Sequence, residues 1–239
     1  MLGVVLAGGT ASRLKPVSLF VNKTILPVGG KPMIYYPIST LVKSGIEHIV
    51  VVTGEPLGSQ VVEMVGYLKP NFKGVNFEFA RQEKPLGMPD AIACAGPFAR
   101  KEPIIVVAGD NIFGGDYKKY VTKFVKGEIS FLREVPDPSR FGCPFYDKDK
   151  KLIAIVEKPI KPQSKYAITG PHIFDYKVFS FIKTLTSSKR GELEIVDLHK
   201  KYLSLKELKL IKVRDFWADI GTFKSLAKVS YHIFKLNDK

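Results

Sequence analysis

The segment from Leu2 to Arg13 reads Leu-Gly-Val-Val-Leu-Ala-Gly-Gly-Thr-Ala-Ser-Arg, and it decides the fold prediction. Its first six residues form a continuous apolar run, which is typical of a strand buried on both faces of a parallel sheet. Gly8 and Gly9 follow at once, so we predict a loop at the carboxyl end of this strand. In open α/β sheets, ligands bind at that edge.

The remaining sequence predicts further strands and helices on both sides of residue 127. Strands are expected at 48–53, 75–79 and 103–108, and then at 129–135, 152–156, 168–174 and 208–213. Helices are expected at 33–42, 61–68 and 91–95, and then at 178–185, 195–203 and 223–236. The strand–helix alternation predicts an α/β fold with a parallel sheet. We expect one domain over residues 1–239, built from two integrated halves, 1–127 and 128–239.

Composition excludes several classes of protein. Hydrophobic residues make up 45% of the 239 residues, enough to bury a core, which excludes a disordered tail protein. No apolar run approaches the ~20 residues of a membrane span, and the N-terminus lacks the basic region of a signal peptide. The two cysteines, Cys94 and Cys143, cannot form a disulfide framework or a four-cysteine zinc site. We therefore expect a cytoplasmic protein that makes no contact with a membrane.

The net charge of +14, from 37 Lys+Arg and 23 Asp+Glu, suggests a polyanionic partner. Nucleic acid, anionic lipid and phosphorylated small molecules all fit that description. A lysine-rich surface that only aids solubility explains the charge equally well. Because no basic stripe with interleaved aromatic residues is present, nucleic acid is the weakest of these partners.

The glycine loop is a candidate phosphate site. Backbone N–H groups of Gly8 and Gly9 can surround an anion closely, because glycine has no side chain to obstruct it. A Gly-Gly pair alone is often just a tight turn, but Arg13 and Lys23 follow within reach of the same anion. Together these four residues favour phosphate binding. The sequence contains no P-loop motif, so this is not P-loop chemistry.

Two aspartates are candidate metal ligands. Asp110 follows Gly109 directly after the strand predicted at 103–108, and Asp219 lies between apolar residues and Gly221. A carboxylate at the carboxyl end of a sheet strand binds a metal or a ribose as often as it merely faces solvent. Each aspartate alone is weak support for a site.

Eight motifs, in order along the whole chain, together resemble one family, the sugar-1-phosphate nucleotidylyltransferases. Within it, they are most similar to the glucose-1-phosphate thymidylyltransferases. The motifs are Leu6-Ala-Gly-Gly-Thr-Ala-Ser-Arg-Leu14, Lys23-Thr-Ile-Leu-Pro-Val28, Lys31-Pro-Met-Ile-Tyr-Tyr-Pro37, Gly109-Asp-Asn111, Glu157-Lys-Pro159, Tyr166-Ala-Ile-Thr-Gly170, Arg190-Gly-Glu-Leu-Glu-Ile195 and Trp217-Ala-Asp-Ile-Gly-Thr222.

The resemblance implies a Rossmann-like nucleotide-binding core with a mixed central sheet, mainly 1–127, and an integrated sugar-binding half, mainly 128–239. It implies transfer of a nucleotidyl group from a nucleoside triphosphate to a sugar 1-phosphate, with release of pyrophosphate. The favoured substrates are dTTP, with UTP as the alternative, and glucose 1-phosphate, and the implied cofactor is Mg²⁺. Relatives are commonly oligomeric, so a homo-oligomer is expected.

By position in the motifs, the resemblance also implies residue roles. The implied catalytic residues are Arg13, Lys23 and Asp110. Those implied for the nucleotide are Gly8, Gly9, Thr10, Ser12, Arg13, Gln82, Gly87 and Asp110. Those implied for the sugar phosphate are Asn111, Gly142, Glu157, Lys158, Ile168, Gly170 and Trp217. The implied metal ligands are Asp110 and Asp219.

This chemistry needs no general base, because the attacking phosphate oxygen is already ionised at neutral pH. Fixed positive charge and positioning supply most of the rate. The four histidines lie outside the implied site positions, and we interpret them as structural or surface residues. Glu157 and Lys158 have a second interpretation as an exposed ion pair. Trp217 is as well explained by core packing as by stacking on a sugar.

Several residues depart from the family pattern. Ala11-Ser12 replaces Gly-Thr, and because Ala11 tolerates a positive φ poorly, the phosphate loop is expected to differ slightly. Phe141 replaces a tyrosine, Cys143-Pro144 replaces a Val-Val-like pair, and Met88-Pro89-Asp90 replaces Leu-Ala-Gln. An alternative from another class is a catalytically silent regulatory or nucleic-acid-binding relative. Such a relative is expected to lose Lys23 or a metal aspartate, and this chain keeps them.

Overall fold

The computed structural model describes residues 1–237. Its strands, in chain order, are β1 Leu2–Leu6, β2 Pro27–Val28, β3 Lys31–Pro32, β4 His48–Gly54, β5 Asn76–Gln82, β6 Ile104–Ala108, β7 Asn111–Phe113, β8 Glu128–Glu134, β9 Gly142–Tyr146, β10 Leu152–Glu157, β11 Tyr166–Phe174, β12 Leu208–Lys212 and β13 Trp217–Asp219. Its α-helices are α1 Tyr35–Lys43, α2 Gly58–Leu68, α3 Met88–Cys94, α4 Lys118–Thr122, α5 Val178–Ile182, α6 Ile195–Ser204 and α7 Phe223–Asn237.

The central sheet has seven strands in the order β12-β8-β11-β6-β1-β4-β5. Strands β6, β1, β4 and β5 are parallel, as the continuous apolar runs of β1, β4 and β6 predict. Strand β11 runs antiparallel to both β6 and β8, and β12 runs parallel to β8. The sheet is therefore mixed, which confirms the predicted α/β class with a mixed central sheet.

Helices cover both faces of the sheet. On one face, Val5 and Val51 pack in a buried cluster with α1 and α2; on the other, Val4 and Val50 pack with α3, α5 and α6. Successive residues of β1 and β4 thus point into different cores, and this alternation requires apolar residues at every position. Among residues 1–237, no helix is long and apolar enough to cross a bilayer.

Strand β11 joins the two halves of the chain. It pairs with β6 through His172, Ile173 and Phe174, and with β8 from Tyr166 onward, with a shift of register between Thr169 and Ile173. Three small two-stranded sheets, β2–β3, β7–β13 and β9–β10, lie outside the central sheet. The division of a single domain at about residue 127 stays a prediction.

The predicted elements are recovered with shifted ends. The helix predicted at 33–42 begins at Tyr35, and just before it the N–H groups of Met33 and Ile34 donate to the carbonyls of Leu26 and Thr24. The helix predicted at 91–95 begins at Met88, and the helix predicted at 178–185 ends at Ile182. Helix boundaries depend on such local hydrogen bonds, which apolar spacing does not encode.

Candidate active site

A cavity of about 480 Å³ opens at the carboxyl edge of the parallel strands. Loops after β1, β5 and β6 form one end of its wall, and β9–β10, β11 and α6 contribute to the other. The structure brings every site residue named from the sequence to this wall: Gly8, Gly9, Thr10, Ser12, Arg13, Lys23, Gln82, Gly87, Asp110, Asn111, Gly142, Glu157, Lys158, Ile168, Gly170, Trp217 and Asp219. Their individual roles stay predictions.

The glycine loop lies against the end of β4. A Cβ at Gly8 would lie 3.3 Å from the backbone nitrogen of Gly54, and a Cβ at Gly54 would lie 2.7 Å from the Gly8 carbonyl oxygen. The two strand ends therefore approach closely only because both residues are glycine. A Cβ at Gly9 would lie 3.6 Å from Lys23 Nζ, so the ammonium group faces the loop.

Ala11 has a left-handed backbone, with φ 50° and ψ 35°. The loop thus holds Ala11 in a conformation that alanine tolerates poorly, and the expected difference of this loop from the family pattern stays a prediction. The hydroxyl of Ser18 donates to the Ala11 carbonyl oxygen over 2.9 Å and ties the strained turn to the next segment. Arg13 follows, and a Cβ at Gly221 would lie 2.6 Å from its guanidinium. The loop thus directs Arg13 toward the segment that carries Asp219.

Lys23 and Asp110 form an ion pair in which the Lys23 ammonium donates to Asp110 Oδ2. Asn111 Nδ2 donates to the other oxygen, Oδ1, over 3.0 Å. Burial alone would raise the pKa of Asp110, but the Lys23 charge and these hydrogen bonds hold it below its ordinary value. Asp110 therefore stays ionised beside the glycine loop.

Asp219 lies on β13, whose register pairs it with Asn111 on β7. Burial and the negative charge of Asp110 raise the pKa of Asp219, against the opposing effect of Lys23, Arg13 and Arg140. Two carboxylates that repel each other in a partly buried place fit a hard divalent cation, because such an ion binds carboxylate oxygens and offsets their repulsion. The donor set of Asp110 and Asp219 therefore fits a metal ion.

At one end of the cavity, Gln82 is buried and 5% exposed. Its Nε2 donates to Asp90 Oδ2 over 2.8 Å and to the Gly87 carbonyl over 3.2 Å. Gly87 has φ 105°, and a Cβ there would lie 2.2 Å from the Leu193 carbonyl oxygen, so no other residue fits. The amide nitrogen of Gln82 is thus occupied, and its Oε1 is left to accept.

Pro89, expected to remove an N–H beside this end of the cavity, lies in the first turn of α3. At that position a helix makes no use of the N–H, so the proline costs no helical hydrogen bond. Asp90, in the same turn, is a site residue that sequence reasoning did not assign. Its contact with Gln82 spans two elements, and the only signal for it was the departure from the family pattern.

At the other end, the β9–β10 register pairs Gly142 with Glu157. A Cβ at Gly142 would lie 2.6 Å from Val196 and 3.6 Å from Glu157 Oε2, so glycine keeps this part of the cavity open. Lys158 Nζ lies 3.3 Å from Glu157 Oε1, and Arg190 lies 3.8 Å from the same oxygen. Glu157 therefore contacts both Lys158 and Arg190 at the cavity wall, and it does not form only an exposed ion pair with Lys158.

Arg140, Arg190 and Glu194 line the cavity and were not assigned from the sequence. Arg190 binds both carboxylate oxygens of Glu194, each over 2.7 Å, and Arg140 lies 3.6 Å from Asp219 Oδ2. Both arginines add positive charge to the cavity wall. The signal for Arg190 and Glu194 was their position in the motif Arg190–Ile195.

Trp217 makes a hydrogen bond that was not expected from either core packing or stacking on a sugar. Its Nε1 donates to Asn111 Oδ1 over 2.8 Å, and its ring meets Phe141 edge-on with centroids 5.4 Å apart. Asn111 accepts from Trp217 and donates to Asp110, so the indole fixes the amide that holds the aspartate. Trp217 therefore orients the site as well as lining it.

The four histidines differ in their burial and in their contacts. His48 contacts Glu78 near the surface, and His232 is exposed and stacks on Phe216 with ring centroids 4.7 Å apart. His172 and His199 are 6% and 1% exposed, and both line the cavity. The interpretation of the histidines as structural or surface residues thus did not anticipate that two of them lie at the cavity wall.

Comparison with known proteins identifies the family of the chain. The family model for nucleotidyl transferases matches residues 2–235. Glucose-1-phosphate thymidylyltransferase of Xanthomonas campestris is 38% identical over 237 residues, covering 97% of this chain and 80% of that protein. The enzyme of the same name from Actinoplanes sp. is 37% identical over 227 residues, covering 93% of this chain and 74% of that protein.

Solved structures give the same result. A Bacillus anthracis protein assigned as a glucose-1-phosphate thymidylyltransferase, crystallised with sucrose, superposes with a TM-score of 0.89 at 38% identity, covering 98% of this chain and 96% of that one. A UDP-glucose pyrophosphorylase has a TM-score of 0.85 at 20% identity, covering 98% of both chains, which shows a shared fold alone. The chain belongs to the nucleotidyl transferase family, and it is a nucleotidyltransferase.

Proposed function

We propose that this enzyme transfers a deoxythymidylyl group from dTTP to glucose 1-phosphate, forming the nucleotide-sugar and releasing pyrophosphate. One observation carries the proposal. A single cavity holds a glycine loop with Arg13 and Lys23, the paired carboxylates Asp110 and Asp219, and Glu157 beside Lys158. The names and identities of the relatives support the choice of thymidylyl donor and glucose acceptor.

The reaction requires two anions to meet. The attacking sugar phosphate oxygen is ionised at neutral pH, so no residue needs to remove a proton. Lys23 faces the glycine loop and contacts Asp110, a position from which its ammonium can stabilise charge on both donor and acceptor phosphates. Arg13 can bind phosphate oxygens with its planar fork of donors.

Asp110 and Asp219 would hold Mg²⁺. Mg²⁺ prefers one or two carboxylates together with substrate phosphates and water, and it supplies positive charge to the triphosphate when bound. Lys23 keeps Asp110 ionised and ready to ligate, as the lowered pKa of Asp110 indicates. Asn111, fixed by Trp217, orients the Asp110 carboxylate through its 3.0 Å hydrogen bond.

Gln82 would read the base. With Nε2 donating to Asp90 and Gly87, its Oε1 accepts, and an accepting oxygen pairs with the imide N–H of thymine or uracil. Cytosine carries an acceptor at the same ring position, so it is disfavoured. Thymine and uracil differ by one methyl group, worth only about 1–3 kcal/mol in a pocket, and UTP is therefore the alternative donor.

The sugar phosphate would bind where Gly142, Glu157 and Lys158 meet. The Glu157 carboxylate accepts hydrogen bonds from sugar hydroxyls, and Lys158 offsets the phosphate charge. Ile168 and Gly170 line the same wall from β11. A cytoplasmic location is part of the proposal, and the free thiols of Cys94 and Cys143 support it. A homo-oligomer stays a prediction.

A pyrophosphate-release assay across dTTP, UTP and CTP, each with glucose 1-phosphate and galactose 1-phosphate, tests the proposal. We expect dTTP with glucose 1-phosphate to give the highest kcat/KM, followed by UTP. A strong preference for CTP would overturn the assignment of the base site. No pyrophosphate release with any pair would favour a silent relative, although Lys23, Asp110 and Asp219 are all in place.

A further inference from the structure

Three buried side chains meet beneath the cavity wall: Glu128 at the start of β8, His172 on β11 and His199 on α6. One nitrogen or oxygen atom from each lies within 4.8 Å of the other two. Glu128 is 0% exposed, and the two imidazoles lie 5.2 Å apart between ring centroids. This cluster, here called the Glu128 cluster, shares no residue with the Asp110–Asp219 pair.

The protein's own contacts leave one atom of the Glu128 cluster unsatisfied. His199 Nδ1 lies 2.5 Å from Glu128 Oε1, a close polar contact between the two side chains. Among the described residues, the second oxygen of the same carboxylate, Glu128 Oε2, is buried and has no hydrogen-bond partner. A buried carboxylate oxygen without a partner is costly, and a cation held between the three side chains would satisfy it.

Ser130 selects the tautomer of His172. Its hydroxyl donates to Glu128 Oε1 over 2.6 Å and lies 2.8 Å from His172 Nδ1. Because a serine hydroxyl has only one proton, His172 Nδ1 then donates to the Ser130 oxygen, which leaves Nε2 with its lone pair free. A hydrogen bond to one ring nitrogen that frees the other is the usual arrangement around a metal-binding histidine.

The chemistry of the three side chains also suits a metal ion. One carboxylate and two imidazoles form a donor set that zinc and similar divalent transition metals favour, whereas Mg²⁺ prefers oxygen ligands throughout.

We propose that Glu128, His172 and His199 bind a divalent transition-metal cation of the zinc class, with an open coordination position toward the cavity. Both histidines line the cavity, so an ion can enter through it and can meet a ligand oxygen there. Three protein ligands with a fourth position open is the arrangement of zinc sites that contact a substrate or water. This inference does not depend on the proposed function, because it concerns metal binding alone.

Metal titration of the full chain tests the proposal. Chelator-treated protein is titrated with Zn²⁺ by calorimetry in excess Mg²⁺, which competes for sites made of carboxylate oxygens such as the Asp110–Asp219 pair. The parent is expected to bind one Zn²⁺. His199→Asn, His172→Asn and Glu128→Gln are expected to weaken binding by about 10²-fold or more. His232→Asn, which alters an exposed histidine outside the cluster, is the matched control and is expected to bind like the parent.

A second measurement uses the unaltered parent, so its result does not depend on whether a variant folds. Co²⁺ added to the unaltered parent is expected to give the intense visible absorption of a four-coordinate site with nitrogen ligands, and Zn²⁺ is expected to raise the parent's Tm. Absence of Zn²⁺ binding in the parent would overturn the proposal. So would unchanged binding in folded His199→Asn protein, or a Co²⁺ signal that only Asp219→Asn removes.

Discussion

Gln82 Nε2 donates a hydrogen bond to Asp90 Oδ2 over 2.8 Å. The contact joins the end of β5 to the first turn of α3, and together with the Gly87 carbonyl it fixes which way the Gln82 amide points. An amide held with its oxygen toward the cavity can accept from a base N–H and cannot donate to a base acceptor. With Gln82 proposed to read the base, we expect Asp90 to share in base selection by holding this orientation.

Asp90→Asn is expected to relax this selection. An asparagine can donate as well as accept, so the Gln82 amide is free to turn and to present Nε2 to cytosine. We expect the ratio of kcat/KM for dTTP over CTP to fall about tenfold, which corresponds to about 1.4 kcal/mol. Glu83→Gln removes an exposed charge nearby and serves as the control. An unchanged ratio in Asp90→Asn, or an equal change in Glu83→Gln, would contradict the role of Asp90.

Loss of either partner in the Lys23–Asp110 pair is expected to abolish most activity. Lys23→Ala removes the ammonium proposed to contact both phosphates, and Asp110→Asn removes a carboxylate of the proposed metal pair. We expect kcat to fall by about 10²–10³-fold in each, with far-UV circular dichroism unchanged. Lys15→Ala removes an exposed lysine outside the cavity and is the matched control. Near-normal turnover in either site variant would refute its role.

The two aspartates are expected to have opposite effects on stability at neutral pH. The raised pKa of Asp219 means that its charged form is disfavoured in the folded protein, so the stability it contributes when protonated is lost as pH rises through that pKa. Asp219→Asn mimics the protonated form and should raise Tm at pH 7. The lowered pKa of Asp110 means that its charge is stabilising, so Asp110→Asn should lower Tm.

Thermal melts at pH 7 and at pH 4 check this pair of outcomes. The Tm advantage of Asp219→Asn should shrink as pH falls and Asp219 in the parent becomes protonated. Activity should fall in both variants, by about 10²-fold or more for Asp219→Asn, because metal binding is weakened. A lower Tm for Asp219→Asn at pH 7 would show that the two carboxylates do not repel each other.

The strained turn at Ala11 predicts a stabilising substitution. Glycine adopts φ 50° without the steric cost that alanine incurs, so Ala11→Gly should raise the free energy of unfolding by up to about 1 kcal/mol. Ala227→Gly, in the exposed middle of α7, should instead lower it by about 1 kcal/mol. Urea denaturation measures both, and a destabilised Ala11→Gly would mean that alanine is not strained there.

Much of the fold could be predicted because its central strands are long apolar runs. Strands β1, β4 and β6 are buried on both faces, and no other element of that length explains Val4 and Val5, or Val50 and Val51, side by side. The strands β2, β3, β7 and β13 have two or three residues each, too few for any periodicity, and they were not predicted. Their pairing depends on the tertiary approach of distant segments.

The active site likewise contains residues that sequence motifs predicted and contacts that they did not. Gly8, Lys23, Asp110 and Asp219 lie in motifs that could be read along the chain, and the cavity brings them together. The contact of His199 with Glu128 joins elements far apart in sequence, and the contact of Asp90 with Gln82 joins the end of β5 to the first turn of the helix that follows it. No local spacing encodes such pairs, because each is fixed by how helices pack on the sheet.

The most direct test of the account is formation of the nucleotide-sugar from dTTP and glucose 1-phosphate with Mg²⁺ present. The rate is measured as release of pyrophosphate. The account predicts stoichiometric pyrophosphate and dTDP-glucose from the parent, and at least about a 10²-fold slower rate from Lys23→Ala. Turnover that is equal in the parent and in Lys23→Ala, or no product from the parent with any nucleotide, would contradict it.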